Sequence, residues 1–212
     1  MNLRPLSLED LPSIAAVHQA AFPRTVASRL GAEASRRQYE TLMTGPYGTA
    51  GLGAFEQGRL VGFCFVGIRH ASECVFLRKH TWFLVGRLCL HPWLLLDAVI
   101  SRRLGLAIKL LVERLPWPRT KQTVKTGGCE PPTQAFGIHY VAVDPLHRGR
   151  GLGKSLVAAG ETLALQQGFS EIHLSVDTDN APAIALYLRM GWEKSSPSGE
   201  WLGRMSKRLL AV

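Results

Sequence analysis

A single mixed α/β (α+β) domain is the fold class that the sequence predicts, and three observations lead to it. The chain has 212 residues, enough for one substantial core. Its hydrophobic share of 46% against 19% charged residues excludes general disorder. Aliphatic runs of strand character also alternate with stretches of helical rhythm along the whole length, so neither type is segregated to one end.

In chain order, Asn2 to Leu6 reads as a strand. Ser7 with Asp10 then supplies an N-cap and a first-turn acid for a helix that runs to about Phe22 and is closed by Pro23. Leu30, Tyr39, Leu42 and Met43 recur helically and predict a second helix over Val26 to Met43, broken by Gly45, Pro46 and Gly48. Ala50 to Glu56 and Leu60 to Ile68 flank Gln57-Gly58-Arg59 as a hairpin in which glycine takes positive φ. After a distinct middle segment, the pattern resumes. Phe136 to Val143 is a strand, Gly151 to Gly168 a helix, Glu171 to Val176 a strand and Asn180 to Met190 a helix, with short terminal strands near Trp192 and over Trp201 to Leu209.

The middle segment carries most of the charge. Between Arg69 and Lys125 stand eleven Lys or Arg residues and three acids (Glu73, Asp97, Glu113), and eleven minus three is +8 of the chain's +9. Such a balance favours acidic partners: phosphates, nucleic acid or anionic lipid heads. Within it, Leu94 to Leu115 is a helix candidate whose narrow polar stripe is Asp97, Ser101, Gly105, Lys109 and Glu113. So apolar a helix must be buried, but Arg102 and Arg103 at its middle argue against a membrane span. The run Thr81 to Leu96, interrupted by Arg87 and Pro92, likewise reads as folded or interfacial.

Four cysteines, Cys64, Cys74, Cys89 and Cys129, form neither a CxxC pair nor a disulfide framework. The first residues, MNLRPLSLED, show no secretion signal, so a reducing, cytoplasmic setting is expected. No histidine spacing predicts a metal site.

Chemistry concentrates where strand Tyr140-Val141-Ala142-Val143 runs through Asp144-Pro145 into Arg148-Gly149-Arg150-Gly151-Leu152-Gly153-Lys154 and opens a helix. A helix N-terminus exposes unpaired N–H groups and the positive end of the dipole, which suits phosphate or pyrophosphate. The three glycines leave the backbone open to an anion and tolerate strained torsions, while Arg148, Arg150 and Lys154 add positive charge. The spacing is neither GxxxxGK[ST] nor a dinucleotide-binding GxGxxG, and taken alone the run is also compatible with a tight, solvated turn.

Arg148 through Gly153, with the aliphatic strand and Asp-Pro turn before them, resemble the acyl-CoA loop of the GNAT superfamily. Asp177-Thr178-Asp179-Asn180, Ala183, Ala185, Tyr187 and Met190-Gly191-Trp192 resemble that family's next strand and helix, with Trp192 in place of the usual phenylalanine. The resemblance is specific over residues 136 to 193 and looser over residues 1 to 68. It implies a mixed, strongly bent sheet flanked by helices, whose strands at Tyr140 and Ile172 splay to admit pantetheine. Acetyl-CoA is then the acyl donor. Backbone groups of Val141, Ala142 and Val143 would meet the pantetheine, the amides from Arg148 to Lys154 would hold the pyrophosphate, and Asn180 would complete the cofactor site. An N–H at or beside Val143 would stabilise the oxyanion.

The resemblance also points to Tyr187 as the acid that protonates the leaving thiolate; the alternative is a core aromatic on a helix face. His139 shares strand parity with Val141 and Val143, so the sequence places it in the cleft as a base, or else as a structural histidine. Within the family, arylalkylamine acetyltransferases carry a histidine at the matching position. His173, of uncertain parity, and His18, read as a partly exposed helix residue near the acceptor, are lesser candidates.

Compact GNAT domains join strands 3 and 4 by a short turn, so residues 69–135 stand out as a basic, hydrophobic, helical insertion in a single domain spanning 1–212. It could serve as a lid, as a homodimer contact or as a peripheral membrane contact through residues 81–115. The Ala21-Phe22-Pro23 run and this insertion resemble GNAT proteins encoded with bacterial polysaccharide enzymes, for which an amino sugar is the implied acceptor. The leading expectation is therefore N-acetylation of a small-molecule primary amine. Other readings are a protein or aminoacyl-tRNA N-acetyltransferase, or a CoA-binding module with a membrane- or nucleic-acid-contacting insertion. The insertion lacks interleaved aromatics on a strand platform, which disfavours nucleic acid.

Overall fold

The computed structural model describes residues 2–45, 48–68, 75–76, 79–93, 135–196 and 199–209. In chain order these form β1 (Asn2–Pro5), α1 (Leu11–Ala21), α2 (Val26–Leu30), α3 (Ala32–Thr44), β2 (Ala50–Glu56), β3 (Arg59–Ile68), α4 (Thr81–Leu90) and β4 (Phe136–Val143). They continue with α5 (Leu152–Gln166), β5 (Glu171–Ser175), α6 (Ala181–Arg189), β6 (Glu193–Lys194) and β7 (Arg204–Arg208). The seven strands make one sheet in the order β1-β2-β3-β4-β5-β7-β6. Only the β4–β5 pair is parallel; every other pair is antiparallel.

Helices cover both faces. Leu11, Ile14 and Val17 of α1 and Tyr39 and Leu42 of α3 pack with Leu60, Phe63, Phe65 and Ala142 on one side. Leu152, Leu156 and Val157 of α5 and Tyr187 of α6 pack with Cys64, Val66, Phe136, Ile172 and Met205 on the other. Because β3 is covered on both sides, its residues read as a continuous apolar run rather than an alternating one. Gly160 lets α5 lie close to that strand, since a Cβ there would come within 2.9 Å of Val66 Cγ1. Each fully buried leucine on these faces contributes about 1.5–3 kcal/mol of transfer free energy. One carboxylate then ties α5 to the sheet: Glu161 accepts from Trp192 Nε1 at 2.8 Å and from Lys207 Nζ at 2.7 Å.

The elements expected from sequence are present, with two corrections and one gap. The single helix expected over Val26 to Met43 is two, because Gly31 stands between them with φ +101°, a torsion that ends one helix and lets the chain turn into the next. The hairpin link is a two-residue turn, Gln57-Gly58, with φ +50° and +78°, and Arg59 already belongs to β3. The helix expected over Leu94 to Leu115, and with it most of the basic segment 69–135, lies outside the described residues; the run beginning at Thr81 is described and is α4.

Candidate active site

β4 pairs with β5 only at Phe136↔Ile172 and Gly137↔His173. Beyond those residues β5 continues against β7 alone, so a gap opens along the C-terminal half of β4. The hydrogen-bond phase of β4 decides what faces this gap. Asp144 N–H donates to Val61 O at 2.9 Å, which makes the in-register pairs Ala142 with Phe63 and Tyr140 with Phe65 the ones bonded to β3. Val141 and Val143 therefore turn their N–H and C=O groups away from β3, toward the gap. The Val143 carbonyl indeed accepts from Arg148 Nε at 3.3 Å.

Ala142 has the opposite phase. Its backbone is committed to β3 and its methyl is buried with the α1–α3 cluster, so neither is turned toward the gap.

The loop after β4 is shaped locally. Asp144 Oδ1 accepts from Leu146 N–H at 3.0 Å and caps the 3-10 turn Pro145–His147, with proline at a position where no N–H is needed. Gly149 and Gly151 both have φ +79°, and Gly151 is the N-cap of α5. Around both, a Cβ would meet nothing within 4 Å, so the requirement for glycine is torsional and the space above the helix end is open. Gly153 is different: it lies inside the helix without positive φ, and its Cβ position faces Leu186 at 3.4 Å.

The amides of Leu152, Gly153 and Lys154 have no carbonyl one turn earlier to bond, and they point out of the helix start. Lys154 is exposed beside them while the Leu152 side chain is buried in the core, so Leu152 can offer only its backbone. Arg150 Nη1 lies 3.4 Å from Glu56 Oε2 at the end of β2.

Tyr187 is the one buried residue of α6 and belongs to the same cluster as Val141, Val143 and Leu152. Its ring lies 5.8 Å from that of Trp192. Burial pushes the phenol up to about 12, with a lesser contribution from the Cys64 thiol, itself raised to about 12 by burial. The phenol thus stays protonated throughout the physiological range. Asn180 serves α6 directly: its Oδ1 caps the helix by accepting from Ala183 N–H at 3.3 Å.

His139 corrects the parity expectation. The register changes between Phe65↔Tyr140 and Val66↔Ile138, so His139 is an extra residue in β4, a β-bulge. The bulge reverses alternation, so Phe136 and Ile138 before it and Val141 and Val143 after it all face the α5–α6 side, and His139, the extra residue, does not take its direction from Val141 and Val143. His173 alternates with the buried Ile172 and Leu174, so it is turned from the Tyr187 cluster, and its Nε2 lies 3.9 Å from Glu171.

His18 is not partly exposed but wholly buried, its Nδ1 2.7 Å from Tyr39 Oη and its Nε2 3.0 Å from Thr25 Oγ1. Burial lowers its pKa to about 4. The folded protein therefore keeps His18 neutral where an unfolded chain, with the ordinary value of 6.5, takes up a proton. Stability is flat above pH 6.5 and falls as pH drops from 6.5 toward 4, by about 2 kcal/mol at pH 5. Asp10 and Glu33, both held down to about 2 by arginine partners, lose their contribution as pH falls through their ordinary values of 3.8 and 4.5 and so add little to the change at pH 5. Urea unfolding at pH 7.5 and pH 5 is expected to show this loss, and His18→Asn to reduce the difference to the part that His80, also lowered chiefly by burial, contributes.

Sequence reasoning missed Glu56 and His147, which flank the loop with Nε2 to Oε2 at 3.4 Å, and Gln38, whose Nε2 donates to Tyr140 Oη at 2.6 Å. His147 stands in the Pro145-Leu146-His147-Arg148 run and was legible there; Glu56 and Gln38 reach the site only through the fold. Among the described residues no three His, Cys, Asp or Glu side chains converge as a metal site.

The profile described as "Acetyltransferase (GNAT) family" matches residues 116–192. N-acetyltransferase 8B of Rattus norvegicus is 33% identical over 158 residues, covering 67% of each chain. Mycothiol acetyltransferase of Kocuria rhizophila is 46% identical over 57 residues, 27% of this chain, and the match spans only 19% of that relative's length. Among solved structures, the PaiA N-acetyltransferase of Thermoplasma acidophilum in complex with coenzyme A superposes with TM-score 0.56 at 15% identity over 98% of both chains. The ribosomal-protein-S18-alanine N-acetyltransferase of Escherichia coli gives TM-score 0.55 at 14% identity, covering 100% of this chain and 95% of that one. At these identities the two structures share the fold.

Proposed function

This chain belongs to the GNAT acetyltransferase family, and from that premise we propose that it transfers an acetyl group from acetyl-CoA to a primary amine on a small molecule. The observation that carries the reading is the parting of β4 from β5 directly before the open N-terminus of α5. An extended pantetheine fits a strand edge whose Val141 and Val143 groups are turned outward, and a pyrophosphate fits the amides of Leu152, Gly153 and Lys154 beyond the two left-handed glycines. A thioester carbonyl lying along that edge would find the Val143 N–H as its oxyanion donor.

Two residues then handle the protons. Tyr187, on the α5–α6 side, donates to the thiolate as the carbon–sulfur bond breaks; His139, at the bulge in β4, removes a proton from the amine as the carbon–nitrogen bond forms. Relatives named for mycothiol are 46% identical over 57 and 56 residues of the chain, which supports a small acceptor. The excess of cations favours an amine that carries phosphate, such as an amino-sugar derivative.

Titration calorimetry with acetyl-CoA, followed by a thiol-release assay over amino sugars, small amines and an alanine-initiated peptide, tests the reading. Micromolar binding and turnover with a small amine are expected. No binding of acetyl-CoA would refute it, and turnover of the peptide alone would move the acceptor to a protein N-terminus.

A further inference from the structure

Both faces of α4 are apolar, and among the described residues only one of them is packed. Phe83 and Leu84, with Phe76 upstream, pack on Val26, Leu30 and Ala34 of α2 and α3. Three polar ties hold that contact. Arg87 Nε donates to Leu30 O at 3.1 Å, the Arg37 guanidinium lies 4.2 Å over the Phe83 ring, and His80 Nε2 stands 3.0 Å from Thr41 Oγ1. The other face carries Trp82, Gly86, Cys89 and Leu90, with Trp93 just past the helix end, at the spacing that lines up one side of a helix. Trp82, Leu90 and Trp93 are 79%, 73% and 62% exposed. A helix anchored on one side thus presents a ridge of large apolar side chains on the other.

We propose that this ridge docks onto the surface of an anionic lipid bilayer. Tryptophan at both ends of the ridge is the residue type that settles at the headgroup boundary, where its ring is sheltered and its N–H stays wet. The surrounding sequence, residues 69–125, carries +8, so acidic headgroups attract the segment that contains the ridge. A second copy of the chain would instead bring the same positive charge to the contact, which opposes self-association through this face. Among the described residues no helix is long and apolar enough to cross a membrane, so α4 lies on the surface rather than through it. α4 packs on α2 and α3, whereas α5 packs on the opposite face of the sheet.

The test uses the full chain and sedimentation with vesicles of phosphatidylcholine containing about 30% phosphatidylglycerol, against vesicles of phosphatidylcholine alone. Wild type is expected to sediment with the anionic vesicles and to be released by high salt. Trp82→Ser/Leu90→Ser/Trp93→Ser is expected to partition at least about tenfold more weakly. Acetyl-CoA binding, measured on the same preparations, is expected to be equal in both proteins, which shows that the variant is folded and keeps this outcome separate from the enzymatic reading. Wild type remaining in the supernatant, or a triple variant that sediments equally well, overturns the proposal. So does a wild-type dimer in sedimentation velocity that the triple substitution dissociates, because the ridge would then be a contact between copies.

Discussion

Gly151→Glu is expected to lose acetyl-CoA binding in a protein that remains folded. Gly151 caps α5 with φ +79° and ψ 0°, and a Cβ there meets nothing within 4 Å. Substitution therefore costs only the torsional strain of a non-glycine residue in the left-handed region, about 1–3 kcal/mol. A carboxylate at a helix N-terminus offsets part of this by interacting favourably with the dipole. That same interaction is what defeats the ligand, since the new side chain reaches the amides of Leu152, Gly153 and Lys154 and repels the pyrophosphate. The dissociation constant is expected to rise by at least about 100-fold, roughly 2.7 kcal/mol. Gly151→Ala separates strain from charge. It pays the torsional cost, lowers the melting temperature by several degrees and keeps affinity within about tenfold of wild type. Calorimetry beside thermal melts measures both, and a glutamate variant that binds like wild type would remove the pyrophosphate from this loop.

Tyr187→Phe is expected to lower kcat by about 100- to 1,000-fold, within the range of a positioned acid, with acetyl-CoA affinity unchanged. The substitution is clean because the Tyr187 hydroxyl has no hydrogen-bond partner among the described residues, so none of them is orphaned. Its ring is buried against Trp192 and remains so in phenylalanine, and the melting temperature is expected to move little. The pH profile supplies a second check. With the phenol raised to about 12, any alkaline limb seen below pH 10 belongs to another group and survives the substitution. A large drop in stability with unchanged kcat would assign Tyr187 to the core instead.

The parts of this site that were legible in sequence are those that the backbone decides within a few residues. Asp144-Pro145 shapes a 3-10 turn, Gly149 and Gly151 allow left-handed torsions, and Asn180 caps α6 through its own side chain. The hairpin around Gly58, though not its exact length, and the strand Phe136 to Val143 were legible for the same reason. Asn180 also shows the limit of such reading: a residue placed in the cofactor site by resemblance has its oxygen committed to the helix it begins.

His139 and His18 were misread because their surroundings come from distant segments. Strand parity assumes unbroken alternation, and the bulge opposite Phe65 and Val66 breaks it at the very residue whose direction mattered. His18 was read as partly exposed because α1 alone does not reveal that Tyr39 and Thr25 close over it. Arg150 kept its place in the loop but acquired Glu56, from the far end of β2, as a partner.

The sequence by itself determined the order of the strands and of most described helices, the glycine loop at the start of a helix, the charge of the middle segment and the family resemblance carried by residues 136 to 193. All of these rest on local torsional preference or on composition. Tertiary structure alone decided that β5 leaves β4 after Gly137, that a bulge interrupts β4 at His139, and that Glu161 joins α5 to Trp192 and Lys207. Those features depend on register, bulges and packing between segments far apart in the chain, where a shift of one residue reverses every side chain and no single stretch contains the information.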